Sequence, residues 1–166
     1  MNRAFVGLGS NLGEPATQLQ RALGALDRLR ESRLARVSSA YRSAPLGPPD
    51  QPHYLNAVAL LHTTLPPHAL LENLQAIEDS QGRRRDVRWG PRTLDLDLLL
   101  YDELSVDDAH LTLPHPRLHE RDFVLYPLRE ISDANLVLPD GRDLATLIRS
   151  CPDNSLARTG CLTPIH

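Results

Sequence analysis

The sequence contains no lysine, and all 18 of its basic residues are arginine. This absence excludes catalysis through a lysine Schiff base. It also excludes the lysines that hold nucleotide phosphates in P-loop proteins and protein kinases. A bias in genomic base composition is enough to explain it. Whatever its origin, any polyphosphate chemistry in this chain must rely on arginine, metal ions and backbone amides.

Cysteines, long apolar runs and aromatic residues are also scarce. The two cysteines, Cys151 and Cys161, lie near the C-terminal end and do not indicate a disulfide framework. Apolar runs such as residues 57–61 are too short to cross a bilayer, and residues 1–11 lack the apolar core of a secretory signal. One tryptophan, four tyrosines, two phenylalanines and a net charge of −3 argue against nucleic-acid binding. We therefore expect a cytoplasmic protein without a membrane or nucleic-acid partner.

The rest of the composition is that of an ordinary globular protein. Of 166 residues, 41% are hydrophobic and 23% are charged, which excludes disorder as the main state. No internal repeat or linker divides the chain, so we expect one domain over residues 1–166.

The order of apolar patterns predicts an α+β fold. Strands are predicted at residues 4–10, 36–44, 54–64 and from residue 95, and helices from residue 15 and within residues 65–82. This β-α-β-β-α-β order is the ferredoxin-like arrangement, with an antiparallel sheet, here in α/β/α layers with a C-terminal extension. That extension shows a turn at residues 140–141 and a short helix around residues 144–148. Gly7, Gly9 and Gly13 lack the spacing of a dinucleotide-binding motif, and we assign them to turns.

Two aspartates, Asp95 and Asp97, interrupt an otherwise leucine-rich strand. Successive side chains of a strand alternate between its faces, so both carboxylates should point the same way. The opposite face then carries Leu94, Leu96 and Leu98. Because two neighbouring carboxylates repel each other, either water or a cation should lie between them.

An arginine-rich segment immediately precedes these aspartates. It contains Arg83, Arg84, Arg85, Arg88 and Arg92. Guanidinium groups match phosphate oxygens, and paired carboxylates suit Mg²⁺. Either part alone is better explained by a solvated surface loop or an outward-facing pair of carboxylates. Together they favour a phosphoryl-transfer site.

Residues 111–123 add two histidines and two arginines to the candidate site. His115 and His119 are four residues apart, so a zinc site is the alternative interpretation. Pro116 argues against a helix through both histidines, and no cysteine lies nearby. The histidines at 53, 62, 68, 110 and 166 are interpreted as surface residues.

Tyr54 and Asn56 are two residues apart at the start of a predicted strand and should share a face. An aromatic ring beside an amide suits a flat heterocycle that is both stacked and hydrogen-bonded. A core tyrosine with a strand-end amide explains the pair equally well.

Taken together, these segments resemble the 6-hydroxymethyl-7,8-dihydropterin pyrophosphokinases of folate biosynthesis. RWGPRTLDLD (residues 88–97) is the most specific motif, and GSNLG, APLGPPDQPHYLNAV and LPHPRLHERDFVLYPL accompany it in order. The resemblance covers residues 3–147. It implies an enzyme that transfers the terminal diphosphate of ATP to the hydroxymethyl group of a reduced pterin and releases AMP.

The resemblance also implies which residues form the site. Those expected to act in catalysis are Arg83, Arg92, Asp95 and Asp97. The two Mg²⁺ ions that it implies would be held by Asp95 and Asp97. Those expected to bind ATP are Glu78, Arg85, Arg88, Trp89, Leu98, Thr112, His115 and Arg121. Those expected to bind the pterin are Ser43, Leu46, Tyr54, Asn56 and Phe123. The expected partners are ATP and a reduced pterin, and the chain is expected to be a monomer.

Two positions depart from the family pattern. Pro116 replaces a tyrosine that touches a phosphate in some members, and Ala44 replaces a proline. The implied reaction is an in-line attack of the pterin hydroxyl on the β-phosphorus of ATP. A carboxylate such as Asp97 could take the proton, but no residue is identified as a dedicated base.

Two other functions remain open. A nucleotidyltransferase would use the same Asp-x-Asp pair and two metal ions, but would attack the α-phosphorus and release pyrophosphate. A non-catalytic ferredoxin-like module that binds RNA would need exposed aromatic residues and a basic sheet face.

Overall fold

The computed structural model describes residues 1–44, 53–82, 94–153 and 155–166. Its strands are β1 (Asn2–Ser10), β2 (Ser32–Val37), β3 (Ala40–Ser43), β4 (Tyr54–Thr63), β5 (Asp95–Tyr101), β6 (Val106–Asp107), β7 (Thr112–Leu113) and β8 (Ala157–Gly160). Its helices are α1 (Pro15–Asp27), α2 (Pro67–Ser80), α3 (Asp122–Ile131) and α4 (Leu144–Ser150). A single 3₁₀ turn, Leu118–Glu120, precedes α3. The predicted β-α-β-β-α-β core is confirmed.

Six of the described strands form one antiparallel sheet in the order β5-β1-β4-β3-β8. β2 also pairs with β4, along the half of that strand which β3 leaves open. β6 and β7 form a separate two-stranded ladder. β1 and β4 are central and almost entirely buried, whereas β8 is an exposed edge. A sheet of this kind needs cover on both faces of its central strands.

Two apolar layers cover the two faces. On one side, Leu19 and Leu23 of α1 and Leu70 and Leu74 of α2 pack against the sheet. On the other side, α3 and α4 supply a second group of buried residues, namely Val124, Leu125, Leu128, Ile131, Leu144 and Leu147. Helices on both faces of an antiparallel sheet give the α/β/α layering that the sequence predicts.

β5 divides its side chains between these layers as expected. Leu94, Leu96 and Leu98 belong to the layer under α1 and α2. The register against β1 shifts between Phe5 and Val6, and Leu99 and Leu100 both belong to the layer under α3 and α4. A bulge of this kind inserts one residue and breaks the alternation locally. The α3 side of β5 therefore carries the two aspartates first and leucines after them.

Three local predictions need correction. Gly7 and Gly9 lie inside β1 rather than in a turn, and only Gly13, with φ of +72°, occupies a turn. The predicted strand over residues 36–44 is two strands, separated at residues 38 and 39. α3 was not predicted, because Pro127 lies inside it and proline normally interrupts a helix. Burial of its apolar face against the sheet compensates for the lost hydrogen bond.

None of the helices in the described ranges is both long enough and apolar enough to span a membrane. A single domain over the whole chain stays a prediction.

Candidate active site

The candidate site lies at one end of the sheet, on the face that α3 and α4 cover. Asp95 of β5 pairs with Gly9 of β1, which pairs with Asn56 of β4. Asn56 in turn pairs with Tyr41 of β3. Residues paired directly across an antiparallel ladder point to the same face. A single row across four strands therefore brings a predicted metal ligand and a predicted pterin-binding residue onto one surface.

Gly9 has no side chain, so the sheet surface is open at the centre of this row. A Cβ atom at this position would lie 3.3 Å from the Asn56 Oδ1 atom and 3.9 Å from the Tyr54 ring. A glycine within a strand often marks the place where a ligand or another backbone approaches closely. The space above Gly9 separates Asp95 from Asn56 by two strand spacings, about 10 Å.

The side-chain amide of Asn56 is hydrogen-bonded to β3. Its amide nitrogen donates to the Ser43 hydroxyl at 2.8 Å and more weakly to the Tyr41 carbonyl at 3.4 Å. Both Asn56 and Ser43 are buried, and Tyr54 pairs with Ser43 in the ladder. The structure thus brings together three of the predicted pterin-binding residues, Ser43, Tyr54 and Asn56. Leu46 lies outside the described residues.

Asp97 forms an ion pair with Arg121, with 3.7 Å between the Asp97 Oδ2 and Arg121 Nη1 atoms. Burial lowers the pKa of the Arg121 guanidinium, and the Asp97 charge opposes this effect. The same guanidinium lies 5.6 Å from the centre of the Phe123 ring. Arg121 therefore connects a predicted metal ligand on β5 with a predicted pterin-binding ring at the start of α3.

A cleft of about 270 Å³ opens beside Asp97. Four predicted site residues line it, namely Asp97, Leu98, Thr112 and His115. The remaining lining residues are Leu71, Leu96, Asp108, Ala109, His110, Leu111 and Pro116. Most of these were not predicted. For residues 108–111 the only sequence signal is proximity to Thr112, and Leu71 of α2 carries none.

His115 follows β7, three residues after Thr112. Its backbone amide donates to the Leu99 carbonyl at 3.0 Å, which attaches this segment to β5. Its Nδ1 atom accepts from the Arg117 amide at 3.2 Å, so its proton is on Nε2. Burial lowers the pKa of His115, and the charges of Arg121 and Arg117 add to this effect while Asp97 opposes it. The imidazole is therefore neutral at neutral pH and can donate one hydrogen bond.

The zinc alternative gains no support from this geometry. His119 lies in the 3₁₀ turn beside Glu120, 3.5 Å from that carboxylate, and its Nδ1 atom is buried. Within the described ranges, no group of three or more His, Cys, Asp or Glu side chains could hold a metal ion. Carboxylates, water and substrate phosphates are the ligands that Mg²⁺ usually takes, so Asp95 and Asp97 fit this ion better than zinc.

Glu78 does not line the cleft. It is buried on α2, and its carboxylate accepts a hydrogen bond of 2.8 Å from the Leu96 amide. This contact fixes the beginning of β5 to α2, on the face of the sheet opposite to the two aspartates. The remaining predicted residues, Arg83, Arg85, Arg88, Trp89 and Arg92, lie outside the described residues.

A family model provides the decisive comparison. The model of the 7,8-dihydro-6-hydroxymethylpterin-pyrophosphokinases matches residues 5–133. The chain belongs to this pyrophosphokinase family. The match includes every described site residue predicted from the sequence.

Individual relatives agree with this assignment. The chain is 53% identical to the 2-amino-4-hydroxy-6-hydroxymethyldihydropteridine pyrophosphokinase of Pseudomonas aeruginosa over 158 residues, which are 95% of this chain and 97% of the relative. It is 51% identical to the enzyme of the same name from Haemophilus influenzae over 119 residues, 72% of this chain and 74% of the relative.

The fold of the chain also resembles that of solved HPPK-DHPS structures. A crystal structure of an HPPK-DHPS in complex with substrates matches with a TM-score of 0.70 and 12% identity. The match covers 90% of this chain and 45% of the other, so the chain spans about half the length of that protein. At this identity the comparison shows a shared fold only.

Proposed function

We propose that the chain transfers the terminal diphosphate of ATP to the hydroxymethyl group of 6-hydroxymethyl-7,8-dihydropterin, releasing AMP, in folate biosynthesis. The observation that carries this proposal is the row Asp95–Gly9–Asn56. It presents carboxylates suited to a metal-bound polyphosphate and an amide suited to a heterocycle on one surface. The separation of about 10 Å leaves room for a pterin ring beside the phosphates.

The carboxylates of Asp95 and Asp97 fit Mg²⁺, and we propose that they hold two such ions. Both are hard oxygen donors, both are half-buried, and Asp97 already faces the positive charge of Arg121. Held there, Mg²⁺ would supply positive charge that offsets the negative charge of the phosphates.

The cleft beside Asp97 fits the nucleotide. Leu98, Leu111 and Leu71 give it apolar walls, and Thr112 adds a hydroxyl. The Nε2 proton of neutral His115 can be donated to a phosphate oxygen, and Arg121 adds a guanidinium at the same end. We propose that Arg83, Arg85, Arg88, Trp89 and Arg92 complete the polyphosphate site, with Arg83 and Arg92 acting on the transferring group.

The pterin is proposed to lie above Gly9, with Asn56 reading its edge and the Tyr54 and Phe123 rings holding its faces. Its hydroxyl oxygen then attacks the β-phosphorus while the bond to the bridging oxygen of the α-phosphate breaks. The leaving AMP keeps the electron pair of that bond, and the hydroxyl proton is released. The residues of the chain hold the reactants in line and surround the developing charge.

Identification of the co-product tests this proposal against the nucleotidyltransferase alternative. The purified protein is incubated with Mg-ATP and the reduced pterin, and phosphorus NMR follows the products. We expect AMP and a pterin diphosphate in equal amounts, and no turnover of ATP when the pterin is left out. Release of pyrophosphate, or hydrolysis of ATP that does not depend on the pterin, would contradict the proposal.

We also propose that the chain acts as a monomer in the cytoplasm, without nucleic-acid or membrane partners. Light scattering across a concentration series provides the test, and a mass twice that of the chain would contradict it.

A further inference from the structure

We propose that a polar cluster between β3, α3 and β8 positions Asn56 for pterin binding. The cluster, here named the β3 clamp, consists of Ser39, Tyr41, Glu130 and Arg158. None of the four is among the predicted site residues. This inference rests on the proposed function, since it takes Asn56 to bind the pterin.

Glu130 of α3 is the centre of the β3 clamp. Its Oε2 atom accepts from the Ser39 amide at 2.9 Å and from the Ser39 hydroxyl at 3.0 Å. Its Oε1 atom accepts from the Tyr41 hydroxyl at 2.7 Å. One carboxylate thus holds Ser39, the residue before β3, and Tyr41, the second residue of β3, against α3.

Arg158 of β8 is the fourth member of the β3 clamp, and it approaches from the edge of β3 that does not pair with β4. Its Nε atom donates to the Ser39 hydroxyl at 3.0 Å, and its Nη2 atom donates to Glu130 at 3.4 Å. β8 also pairs with β3 in the main sheet, with Arg158 opposite Tyr41. The short strand β3 is therefore fixed by two neighbouring elements besides its partner β4.

The protonation states in the β3 clamp match its hydrogen bonds. Burial raises the pKa of Tyr41 to about 12, and the bond to Glu130 adds to this rise. Burial also raises the pKa of Glu130, but the hydrogen bonds from Tyr41 and Ser39 outweigh it and hold that pKa below the ordinary value. At neutral pH an ionised acceptor therefore faces protonated donors.

Asn56 depends on β3 for its orientation. Its amide nitrogen donates only to β3 atoms in the described structure, the Ser43 hydroxyl and the Tyr41 carbonyl. Its Oδ1 atom is thereby turned toward the space above Gly9, where an added Cβ would lie 3.3 Å away. If β3 shifts along or away from β4, the amide loses both acceptors and its oxygen no longer has a fixed direction.

The position of the β3 clamp is not explained by stability alone. A half-buried ionised network loses hydration, and apolar side chains of similar size commonly stabilise a fold equally well. Such networks instead select one geometry among close alternatives. Here the geometry selected is that of the strand that orients Asn56.

Three substitutions test the β3 clamp. Glu130→Ala removes its centre, Glu130→Gln keeps one acceptor oxygen but replaces the other by an amide donor and removes the charge, and Tyr41→Phe removes one hydrogen bond. The matched control is Asp143→Ala, which removes the side-chain cap at the N-terminus of α4 and should lower stability on the same face without touching β3. For each variant the KM for pterin, the KM for ATP, kcat and the melting temperature are measured.

We expect Glu130→Ala to raise the KM for pterin about tenfold, because hydrogen bonds to a charged group are lost, and to change the KM for ATP by less than about twofold. Tyr41→Phe should raise the KM for pterin about threefold, and Glu130→Gln, which keeps one of the two acceptor oxygens, should lie between the parent and Glu130→Ala. Asp143→Ala should lower the melting temperature and leave the KM for pterin unchanged. Equal effects of Glu130→Ala on both KM values, or an effect of Asp143→Ala equal to that of Glu130→Ala, would overturn the proposal.

A ligand-free measurement separates this inference from the proposed function. The side-chain amide resonances of Asn56, identified by their loss in Asn56→Ala, should shift in Tyr41→Phe and stay in place in Asp143→Ala. If they do not move in Tyr41→Phe, the β3 clamp does not position Asn56. If they move as expected while the parent protein binds no pterin, the inferred coupling holds and the proposed function fails. Tyr41→Phe removes a single hydroxyl, so the test stands even if Glu130→Ala does not fold.

Discussion

The sheet face beneath α3 and α4 has two halves that differ in their side chains although the same strands form both. The polar half consists of Gly9, Asn56, Asp95 and Asp97. The apolar half consists of Phe5, Val58, Leu60, Leu99 and Leu100. The Asp97 side chain is 42% exposed, whereas Leu99, two residues further along β5, is fully buried.

This difference shows how one face can serve both folding and binding. In a strand, a step of two residues returns to the same face about 6.5 Å further on. Between Asp97 and Leu99 that step passes from the candidate site to the second apolar layer. Substitutions in the polar half should therefore affect activity, and substitutions in the apolar half should affect stability.

The largest expected effect is that of Asp97→Asn in the polar half. The substitution keeps the size of the side chain but removes the charge proposed to hold Mg²⁺, so kcat/KM should fall at least about a thousandfold, or about 4 kcal/mol of transition-state stabilisation. Steady-state turnover of ATP and pterin provides the measurement. Asp107→Asn, on the exposed end of β6, is the matched control and should retain the parent rate. Activity close to that of the parent in Asp97→Asn would show that this carboxylate holds no essential metal.

The next effect comes from α3, which packs on the apolar half. Leu125 of α3 is fully buried against the sheet, and Leu125→Ala should lower the free energy of unfolding by about 3 kcal/mol because a cavity replaces its side chain. Urea unfolding gives this value. At temperatures where the variant stays folded, its KM for pterin and its kcat should equal those of the parent. A large change in either constant would mean that the two halves are not independent.

Strand periodicity was sufficient to predict that the aspartates and the alternating leucines of β5 lie on opposite faces of the sheet. The alternation of Asp95 and Asp97 with leucines depends only on the geometry of a single strand, and the structure confirms it. Gly9 was assigned to a turn because glycines commonly mark turns and this set lacks the spacing of a dinucleotide-binding motif. Its importance becomes visible only through its partners Asp95 and Asn56, which lie far away in the sequence.

Long-range contacts account for most of what sequence reasoning missed. Glu130 and Arg158 resemble ordinary surface charges in the sequence, and nothing local indicates that they meet Ser39. Likewise, nothing local in the sequence indicates that the His115 amide reaches the Leu99 carbonyl of β5. The roles of all the predicted site residues stay predictions, and Leu46, Arg83, Arg85, Arg88, Trp89 and Arg92 also lie outside the described residues.

A smaller effect is expected from crowding the polar half with one methyl group. In Gly9→Ala the new Cβ would lie 3.3 Å from the Asn56 Oδ1 atom, closer than most side-chain contacts allow. We expect the KM for pterin to rise about tenfold, or 1.4 kcal/mol, with little change in the KM for ATP. Gly7→Ala is the control in the same strand, since the atoms nearest to its Cβ would be those of the Leu99 side chain, at an ordinary 3.5 Å. Equal pterin constants for the two variants would show that the space above Gly9 does not receive the pterin.

The smallest expected effect concerns how the free energy of unfolding depends on pH. Glu130→Gln should change this dependence, and Leu125→Ala should not. Burial raises the pKa of Glu130, but its hydrogen bonds and Arg158 hold it below the ordinary value of 4.5. Its contribution to stability is therefore present above the unfolded-state pKa of 4.5 and is lost as the pH falls through the lower folded-state pKa. Urea unfolding of the parent should lose more free energy than that of Glu130→Gln between about pH 5 and pH 3. Leu125→Ala should lie below the parent by the same amount at every pH, because a cavity among leucines binds no proton. If Glu130→Gln follows the parent in parallel instead, the hydrogen bonds at Glu130 do not stabilise its ionised form, and the β3 clamp loses its electrostatic basis.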